Sequence, residues 1–340
     1  MTQHNAYFRV NNLAPKDGKL SVFLKKVGAK KSDGFALMEN GEIYIIDSGL
    51  KEDEGLLAFL LSLREKWLSN APEPVAEETA RLEIHIIVSH PHPDHIGAMP
   101  AILRDPRICA LSLCAPMRSY RSTDVPEAIG RLVGFEDSLD ALPSLLEAFG
   151  HTAREVQRLP YGKKRSFPLG TVGTGITLYT SPYDWSEDRP SESEGMRFLQ
   201  RNLSHNSVYL KDPEYGYANG ILNGNSLWTK ITKGQQTILF TGDQRASDEM
   251  LGSMIRFYGE SEFACDILKL THHGEANYCP QLLAAANPKI TIFTAARKSV
   301  TPETEVLCKK MGAQRYYLCD GDLTFTLDGS TVTAEGIKPR

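Results

Sequence analysis

The sequence lacks the features that mark secreted and membrane-spanning proteins. Its N-terminal segment has no basic stretch followed by an apolar run, so we expect no secretory signal. No stretch approaches the roughly twenty consecutive apolar residues that a membrane-spanning helix needs. The six cysteines form no Cys-x-x-Cys pair, and scattered thiols of this kind are typical of a reducing compartment. These absences predict a cytoplasmic protein with no membrane contact.

A positive charge balance and the common nucleophile motifs are also missing. The chain carries 38 Lys+Arg against 42 Asp+Glu, a net charge of −4, so contact with nucleic acid would need a local basic patch. Neither a G-x-S-x-G serine elbow nor a Walker phosphate loop is present. We find no short repeat and no linker that divides the chain, which predicts one domain over residues 1–340.

Hydrophobic patterning predicts an α/β protein. Apolar residues alternate over residues 35–47, with Asn40-Gly41 as the turn of a hairpin. Helical spacing over residues 55–68 predicts an amphipathic helix, and the apolar run at 82–88 predicts a buried strand. We expect residues 98–160 to alternate short helices with loops. The polar stretch at about 184–204 is predicted to be a surface insertion.

The segment after the predicted strand 82–88 concentrates metal-binding side chains. His90, His92, Asp94 and His95 place three of the nine histidines within six residues. Imidazole nitrogen and carboxylate oxygen are the ligands that borderline divalent metals prefer, zinc above all. In an extended segment alternate positions point the same way, so His90 and His92 can hold one ion while Asp94 and His95 face a second. The alternative, an exposed polar loop, accounts less well for three histidines within six residues.

The spacing His90-x-His92-x-Asp94-His95 resembles the signature of the metallo-β-lactamase superfamily. Other segments match further motifs of that family in the right order, namely Asp47 before the histidines, and Thr241-Gly242-Asp243 and His272-His273-Gly274 after them. The Asn-rich segment 223–227 is similar to that of the soluble hydrolase domain of competence-type (ComEC-like) DNA-uptake proteins. The resemblance implies a four-layer αββα sandwich that binds two divalent metal ions, zinc or else manganese.

The same resemblance implies roles for individual residues. Asp243 would bridge the two ions, Asp47 would support the metal loop, and His273 would complete the second site. His272 would then lie beside the substrate or behind a ligand, although the two late histidines could exchange roles. Asp94 and His272 are the candidates for catalysis, Asp94 by orienting water or taking a proton. Six residues are the implied metal ligands: His90, His92, Asp94, His95, Asp243 and His273.

The chain departs from the usual superfamily pattern at the first metal. Most members supply a third histidine to this ion, whereas the matching segment here carries Asn223 and Asn225. The first site is therefore expected to be weaker, completed by water, or completed by His205. Glu275 replaces the serine that commonly follows the late histidine motif, so the chain lacks the side chain that usually contacts the substrate there.

The competence-type resemblance implies a nuclease or phosphodiesterase that acts on DNA or RNA through a hydroxide activated by two metal ions. Basic residues that could contact phosphates include the lysines between 25 and 31 and the segment Arg118, Tyr120 and Arg121. Two alternatives remain. One is a hydrolase of a small phosphoester, acyl ester or lactone, and the other is a regulated module that docks a protein partner through residues 184–204.

Overall fold

The structure is a computed structural model of the chain, and it describes residues 7–27, 30–116, 155–169, 173–182, 223–244, 248–275 and 280–340. Three predicted features lie outside these residues: the polar stretch 184–204, the segment from Arg118 to Arg121, and His205. The prediction of one domain over residues 1–340 also concerns those parts of the chain and stays a prediction.

The described residues form strands joined by short helices. The strands are β1 (Phe8–Arg9), β2 (Leu20–Leu24), β3 (Gly34–Glu39), β4 (Glu42–Asp47), β5 (Ala80–Ile87), β6 (Ile108–Pro116), β7 (Glu155–Leu159), β8 (Lys164–Leu169), β9 (Thr174–Tyr179), β10 (Trp228–Lys233), β11 (Gln236–Phe240), β12 (Ile267–Lys269), β13 (Ile290–Phe293), β14 (Gln314–Tyr317), β15 (Leu323–Leu327) and β16 (Val332–Gly336). The helices are α1 (Gly55–Leu68), α2 (Pro93–Ile96), α3 (Met99–Arg104), α4 (Asp248–Tyr258), α5 (Pro280–Ala286) and α6 (Pro302–Lys310). Among these residues no helix has the length and apolar character that crossing a bilayer requires.

The strands assemble into two sheets. Within the described residues, the first sheet has nine strands in the order β16-β15-β2-β3-β4-β5-β6-β7, with β1 paired to β5. The second has seven, in the order β14-β13-β12-β11-β10-β9-β8. Strands β4 to β6 run parallel in the first sheet, and β11 to β14 run parallel in the second. The carboxyl ends of the parallel strands therefore lie together at one edge of each sheet.

Alternating side chains bury both faces of each sheet. In β3, Phe35 points into the core between the sheets and Ala36 points into the core on the outer side. In β11, Phe240 belongs to the same central core and Leu239 to a third core on the far side. Helices α1 and α3 pack on the outer side of the first sheet, while α4, α5 and α6 cover the second. The result is a four-layer αββα sandwich, so the predicted fold class is confirmed.

The hairpin between β3 and β4 forms as the sequence predicts. Asn40 and Gly41 have φ angles of 49° and 87°, a left-handed turn that suits asparagine and glycine. A Cβ atom at position 41 would lie 2.3 Å from the carbonyl oxygen of Asn11, so only glycine fits here. The turn pairs Glu39 with Glu42 and sets the register of both strands.

The expectation of short helices and loops over residues 98–160 is wrong for two segments. Residues Ile108–Pro116 form β6, and Glu155–Leu159 form β7 beside it. Strand β6 lies between two parallel neighbours and is largely buried, so its apolar residues run together and show no two-residue alternation. Without that alternation, a run rich in alanine, leucine and cysteine does not identify a strand.

Candidate metal centre

The candidate ligands lie where parallel strands of both sheets end at one edge of the sandwich. Strand β5 leads into the segment from His90 to His95, β11 ends shortly before Asp243, and β12 ends before His272 and His273. The sequence marks these three segments separately. The structure brings these three segments together, because the carboxyl ends of parallel strands lie at the same edge of a sheet.

Asp94, His95, Asp243 and His273 form the tighter part of the cluster. The Nε2 atom of His95 lies 3.2 Å from Asp243 Oδ1, and that of His273 lies 3.0 Å from Asp243 Oδ2. His273 Nε2 also lies 3.3 Å from Asp94 Oδ2. Donor atoms that bind one zinc ion at about 2.0–2.2 Å stand about 3.0–3.5 Å from each other. The spacing therefore suits atoms that share an ion.

His90 and His92 form the second part of the cluster. His90 Nε2 lies 2.9 Å from His92 Nδ1, and the two rings meet edge to face at a centroid distance of 4.6 Å. Each of them offers a ligand atom within 4.8 Å of one from Asp243. Asp243 thus contributes to both parts of the cluster, as expected of a residue that bridges two ions.

Buried polar atoms that make no hydrogen bond support an ion at this place. Among the described residues, the Nε2 atoms of His92, His95 and His273 have no hydrogen-bond partner, nor do Asp94 Oδ2 and both carboxylate oxygens of Asp243. Leaving such groups unpaired in a protein interior costs about 1–3 kcal/mol each. Coordination to divalent ions satisfies all of them at once, so the residues present fit a two-metal centre.

Asp47 and Ser89 hold the imidazole rings from behind. Asp47 Oδ2 lies 2.8 Å from His95 Nδ1, and Asp47 also accepts hydrogen bonds from the backbone and hydroxyl of Ser89, at 2.8 and 2.6 Å. The Ser89 hydroxyl lies 3.1 Å from His90 Nδ1. Contacts to Nδ1 direct the Nε2 atoms toward the centre of the cluster. This is the supporting position that the resemblance implies for Asp47.

Burial and charge act differently on the histidines. Burial lowers the pKa of His92 to about 4 and that of His90 well below its ordinary value, so both present neutral imidazole, the form that binds metals. Burial also opposes the charge on His273, but the Asp243 and Asp33 carboxylates raise its pKa to about 9.

The two central carboxyl groups are held in the ionised form. Burial favours protonation of Asp94 and Asp243, yet the nearby histidines, His273 foremost, hold the pKa of each well below its usual range. Ionised carboxylates are the form that binds a metal.

The two late histidines occupy different places. His273 is fully buried and lies in the cluster, whereas His272 Nε2 stays 3.8 Å from Asp243 Oδ2 at the rim. There it lies 3.3 Å from the amine of Lys31, which in turn lies 3.6 Å from Asp94 Oδ2. The geometry favours His273 as the late ligand and leaves His272 for the side that a substrate would approach.

Asn223 and Asn225 do not complete the first metal site by any described contact. Both are buried, and Asn225 donates to the Tyr161 hydroxyl at 3.3 Å. Neither amide atom of Asn223 has a hydrogen-bond partner among the described residues. The alternative ligand His205 lies outside those residues. A third protein ligand for the first ion therefore stays a prediction.

Sequence reasoning missed two buried charges behind the cluster, Asp33 and Lys269. Asp33 lies 3.0 Å from His273 Nδ1, and Lys269 pairs with Asp33. Burial opposes the charge on Lys269, but Asp33 and Asp243 raise its pKa. A lone lysine in the apolar strand sequence Asp-Ile-Leu-Lys-Leu was a usable signal, because a buried lysine needs a carboxylate. A single aspartate before β3 offered none.

Among the comparisons with known proteins, only the search of solved structures found similar chains. No protein-family model matches the sequence, and no curated protein matches it either. Among solved structures, the chain is similar to the metallo-β-lactamase fold protein YhfI from Bacillus subtilis, with 10% identity, a TM-score of 0.44, and coverage of 93% of this chain and 100% of that one. Zn²⁺-bound PqqB from Methylobacterium extorquens gives 10% identity, a TM-score of 0.44 and coverage of 91% and 99%. The short form of human tRNase Z gives 12% identity, a TM-score of 0.37 and coverage of 83% and 95%.

The likeness to these proteins concerns the fold alone. The architecture of this chain rests on its own two sheets and their covering helices. The narrower resemblance to competence-type hydrolases stays a prediction.

Proposed function

We propose that the chain is a metal-dependent phosphodiesterase, with DNA or RNA as the substrate class. The observation that carries the proposal is a buried cluster. In it, atoms of Asp94, His95, Asp243 and His273 that make no hydrogen bond lie 3.0–3.3 Å from one another, with His90 and His92 beside them. When bound there, two divalent ions supply Lewis acidity and an activated water. Zinc suits this mixture of imidazole and carboxylate best, and manganese is the alternative.

The residues around the ions would divide the remaining work. Six residues would hold the ions: His90, His92, Asp94, His95, Asp243 and His273. Asp94 Oδ2 also lies 3.6 Å from the Lys31 amine, and Asp94 would orient the attacking water or accept its proton.

An anionic substrate is supported by the two cationic or hydrogen-bonding groups at the rim. The Lys31 side chain is 35% exposed and lies beside His272, which is mostly buried. A phosphoryl oxygen placed over the ions would come within reach of both side chains. Lys31 would attract the charged substrate and His272 would donate a hydrogen bond to the leaving oxygen.

The other described lysines near the site favour a second candidate, a hydrolase of a small phosphoester, acyl ester or lactone. Lys25 lies 3.7 Å from Asp53, and Lys30 lies 3.1 Å from Glu52. Lysines that face carboxylates offer less to a long nucleic-acid backbone than a continuous basic surface does. Docking of a protein partner through residues 184–204 is a separate proposal that either activity allows.

The test combines metal analysis with a substrate panel. Elemental analysis of the purified chain counts zinc and manganese, and the same sample is then offered single- and double-stranded DNA, RNA, bis(p-nitrophenyl) phosphate and p-nitrophenyl acetate. Asp94→Asn keeps the shape of the site and is expected to abolish turnover. Cleavage of DNA or RNA by the wild type, lost in Asp94→Asn, supports the proposal. Hydrolysis of bis(p-nitrophenyl) phosphate or of the acetate without cleavage of nucleic acid supports the second candidate. Undiminished activity in Asp94→Asn overturns the mechanism.

A further inference from the structure

A buried ion pair lies directly behind the candidate metal ligands. The Lys269 amine pairs with Asp33 Oδ2, donates a hydrogen bond to the Gly242 carbonyl at 3.1 Å, and lies 3.6 Å from Asp243 Oδ1. Lys269 has no exposed surface and Asp33 has 1%. Taking two charges out of water costs several kcal/mol per ion. A buried ion pair beside the candidate ligands is therefore expected to have a role that offsets this cost.

Asp33 contacts the outer nitrogens of the histidines. Its Oδ1 lies 3.0 Å from His273 Nδ1, and its Oδ2 lies 3.9 Å from His95 Nδ1. The Nε2 atoms of both rings face Asp243 on the other side. By distance alone Asp33 groups with the candidate ligands. Its contacts with the Nδ1 atoms place it behind the rings, where it supports the ligands and does not bind the ion.

We propose that Asp33 and Lys269 are positioning residues of the metal centre, and that this role rests on the metal binding of the proposed function. Asp33 accepts a hydrogen bond from the protonated Nδ1 of His273 and so directs Nε2 toward the ion. Lys269 holds Asp33 in place and balances its charge, so the ring is oriented without an added net charge behind the centre.

Hydrogen bonds tie the segment of Ser32 and Asp33 to the neighbouring loops. The Asp33 backbone nitrogen donates to the Asp94 carbonyl at 3.0 Å, and the Thr294 hydroxyl lies 2.9 Å from His273 Nδ1. The Ser32 nitrogen donates to the Thr294 carbonyl at 3.2 Å. The segment before β3 therefore links the early metal loop to the late one, and a shift of Asp33 would move ligands on both.

Removing only one member of the pair has a distinctive consequence. Asp33→Asn leaves the Lys269 charge unpaired, and the nearest remaining carboxylate is that of Asp243, 3.6 Å away. The amine then competes with the ion for this ligand. Replacing both residues, as in Asp33→Asn with Lys269→Met, removes the competitor. We expect the double variant to bind metal more tightly than Asp33→Asn alone. If the effects of the two single substitutions simply added, the double variant would bind no more tightly than Asp33→Asn.

A double-mutant cycle with Co²⁺ as the probe tests this role. The wild type, Asp33→Asn, Lys269→Met and the double variant are titrated with Co²⁺, and binding is followed by calorimetry and by the visible spectrum of the bound ion. The wild type is expected to take up two ions. Asp33→Asn is expected to lose about 10- to 100-fold affinity for one ion, with an altered spectrum, while the double variant recovers part of the loss.

Glu39→Gln supplies the matched control, because Glu39 pairs with Lys233 in a buried ion pair at the other end of β3. This variant should bind both ions as the wild type does, and an equal loss of affinity there would overturn the positioning role. If Asp33→Asn fails to fold, the double variant provides the test, because it buries no unpaired charge. Reduced affinity of the double variant for one ion supports the positioning role, and wild-type affinity overturns it.

The failure of each proposal gives a different result. Two ions bound with wild-type affinity and spectrum in all variants overturn the positioning role and leave the metal centre intact. A wild type that binds no Co²⁺ overturns the metal centre and the positioning role together. Phosphodiester cleavage is not a readout of this experiment, so a different substrate would leave the result unchanged.

Discussion

Strand β3 has a buried acid at each of its ends, and each acid pairs with a buried lysine from the opposite sheet. Asp33, just before the strand, pairs with Lys269 at the end of β12, and Glu39, its last residue, pairs with Lys233 at the end of β10. The two pairs share their chemistry and their burial. They differ in their surroundings, since only the Asp33 pair is in contact with candidate metal ligands among the described residues.

The two ends of the sandwich also differ in how the strands are connected. At the Glu39 end the connections are tight turns, one at Asn40-Gly41 and one at Gly234, where a Cβ atom would lie 2.6 Å from the Gly329 carbonyl oxygen. At the Asp33 end the strands run into the loops that carry the histidines. The turns at the Glu39 end therefore fix the register of the strands, while the loops at the Asp33 end carry the candidate metal ligands. A buried ion pair by itself does not tell which end it serves.

The largest expected effect comes from removing the carboxylate shared by both parts of the cluster. Asp243→Ala should lower the rate of metal-dependent hydrolysis by more than about 10³-fold, equivalent to about 4 kcal/mol of transition-state stabilisation. Metal content should fall as well, because His95 and His273 both face this residue. Steady-state kinetics and elemental analysis measure the two losses. Retention of two ions and of activity in this variant would contradict the bridging position of Asp243.

Removing the lysine from either pair tests the comparison directly. Lys269→Met and Lys233→Met each leave a carboxylate buried without its cation, and we expect each to lower the free energy of unfolding by about 3–5 kcal/mol. Urea unfolding with and without added zinc separates them. Zinc should stabilise Lys233→Met as much as the wild type, while its effect on Lys269→Met should differ. Identical responses to zinc would show that the two pairs are equivalent.

The comparison also shows what the sequence can predict. The ligand segment is predicted because three histidines and an aspartate follow one apolar strand. The turn is predicted because Asn40-Gly41 separates two alternating segments, and its positive φ angles are ones that few residues besides asparagine and glycine adopt. Asp33 was missed because its role depends on His273, which lies 240 positions away. Nothing near Asp33 in the chain indicates that contact, which only the closed sandwich creates.

Two further differences have physical reasons. Strand β6 was missed because a strand buried between parallel neighbours loses the alternation that identifies strands. Strand β5 also lies between parallel neighbours, but its isoleucines mark it as a strand, whereas β6 carries one β-branched residue, Ile108. The choice between His272 and His273 could be made from the sequence only by analogy with the family. The structure separates them by burial and by the 3.0 and 3.8 Å distances to Asp243.

Metal removal is expected to have a smaller effect on stability than the loss of a buried lysine. An ion that binds only the folded state stabilises it by about 2.7 kcal/mol when its free concentration is 100 times its Kd. Chelation with EDTA should therefore lower the melting temperature of the wild type and of Glu39→Gln by similar amounts. The shift should be smaller in Asp33→Asn, which binds one ion more weakly. Differential scanning calorimetry measures all three, and equal shifts would speak against a role for Asp33.

The smallest expected effect belongs to an ion pair at the surface. The hydrogen bond from Lys164, followed by that from Tyr179, lowers the pKa of Glu262 below its ordinary value. A lowered pKa in the folded state stabilises the protein above about pH 4.5, and that contribution is lost as the pH falls through the folded pKa. Because Glu262 is 33% exposed, water screens the pair, and Glu262→Gln should cost less than about 1 kcal/mol at pH 7.

Unfolding in urea at pH 7 and at pH 3 measures this contribution, with Glu260→Gln in the same short helical turn as the control for losing a carboxylate. The difference between the wild type and Glu262→Gln should shrink at the lower pH, because the carboxyl group becomes protonated. If Glu262→Gln lowers the free energy of unfolding by several kcal/mol, or by more as the pH falls, this exposed pair behaves like the two buried pairs that cross the sandwich. Burial would then not explain the difference between them. Burial creates the large cost of breaking a pair, and proximity to the ligands gives one of the buried pairs a second role.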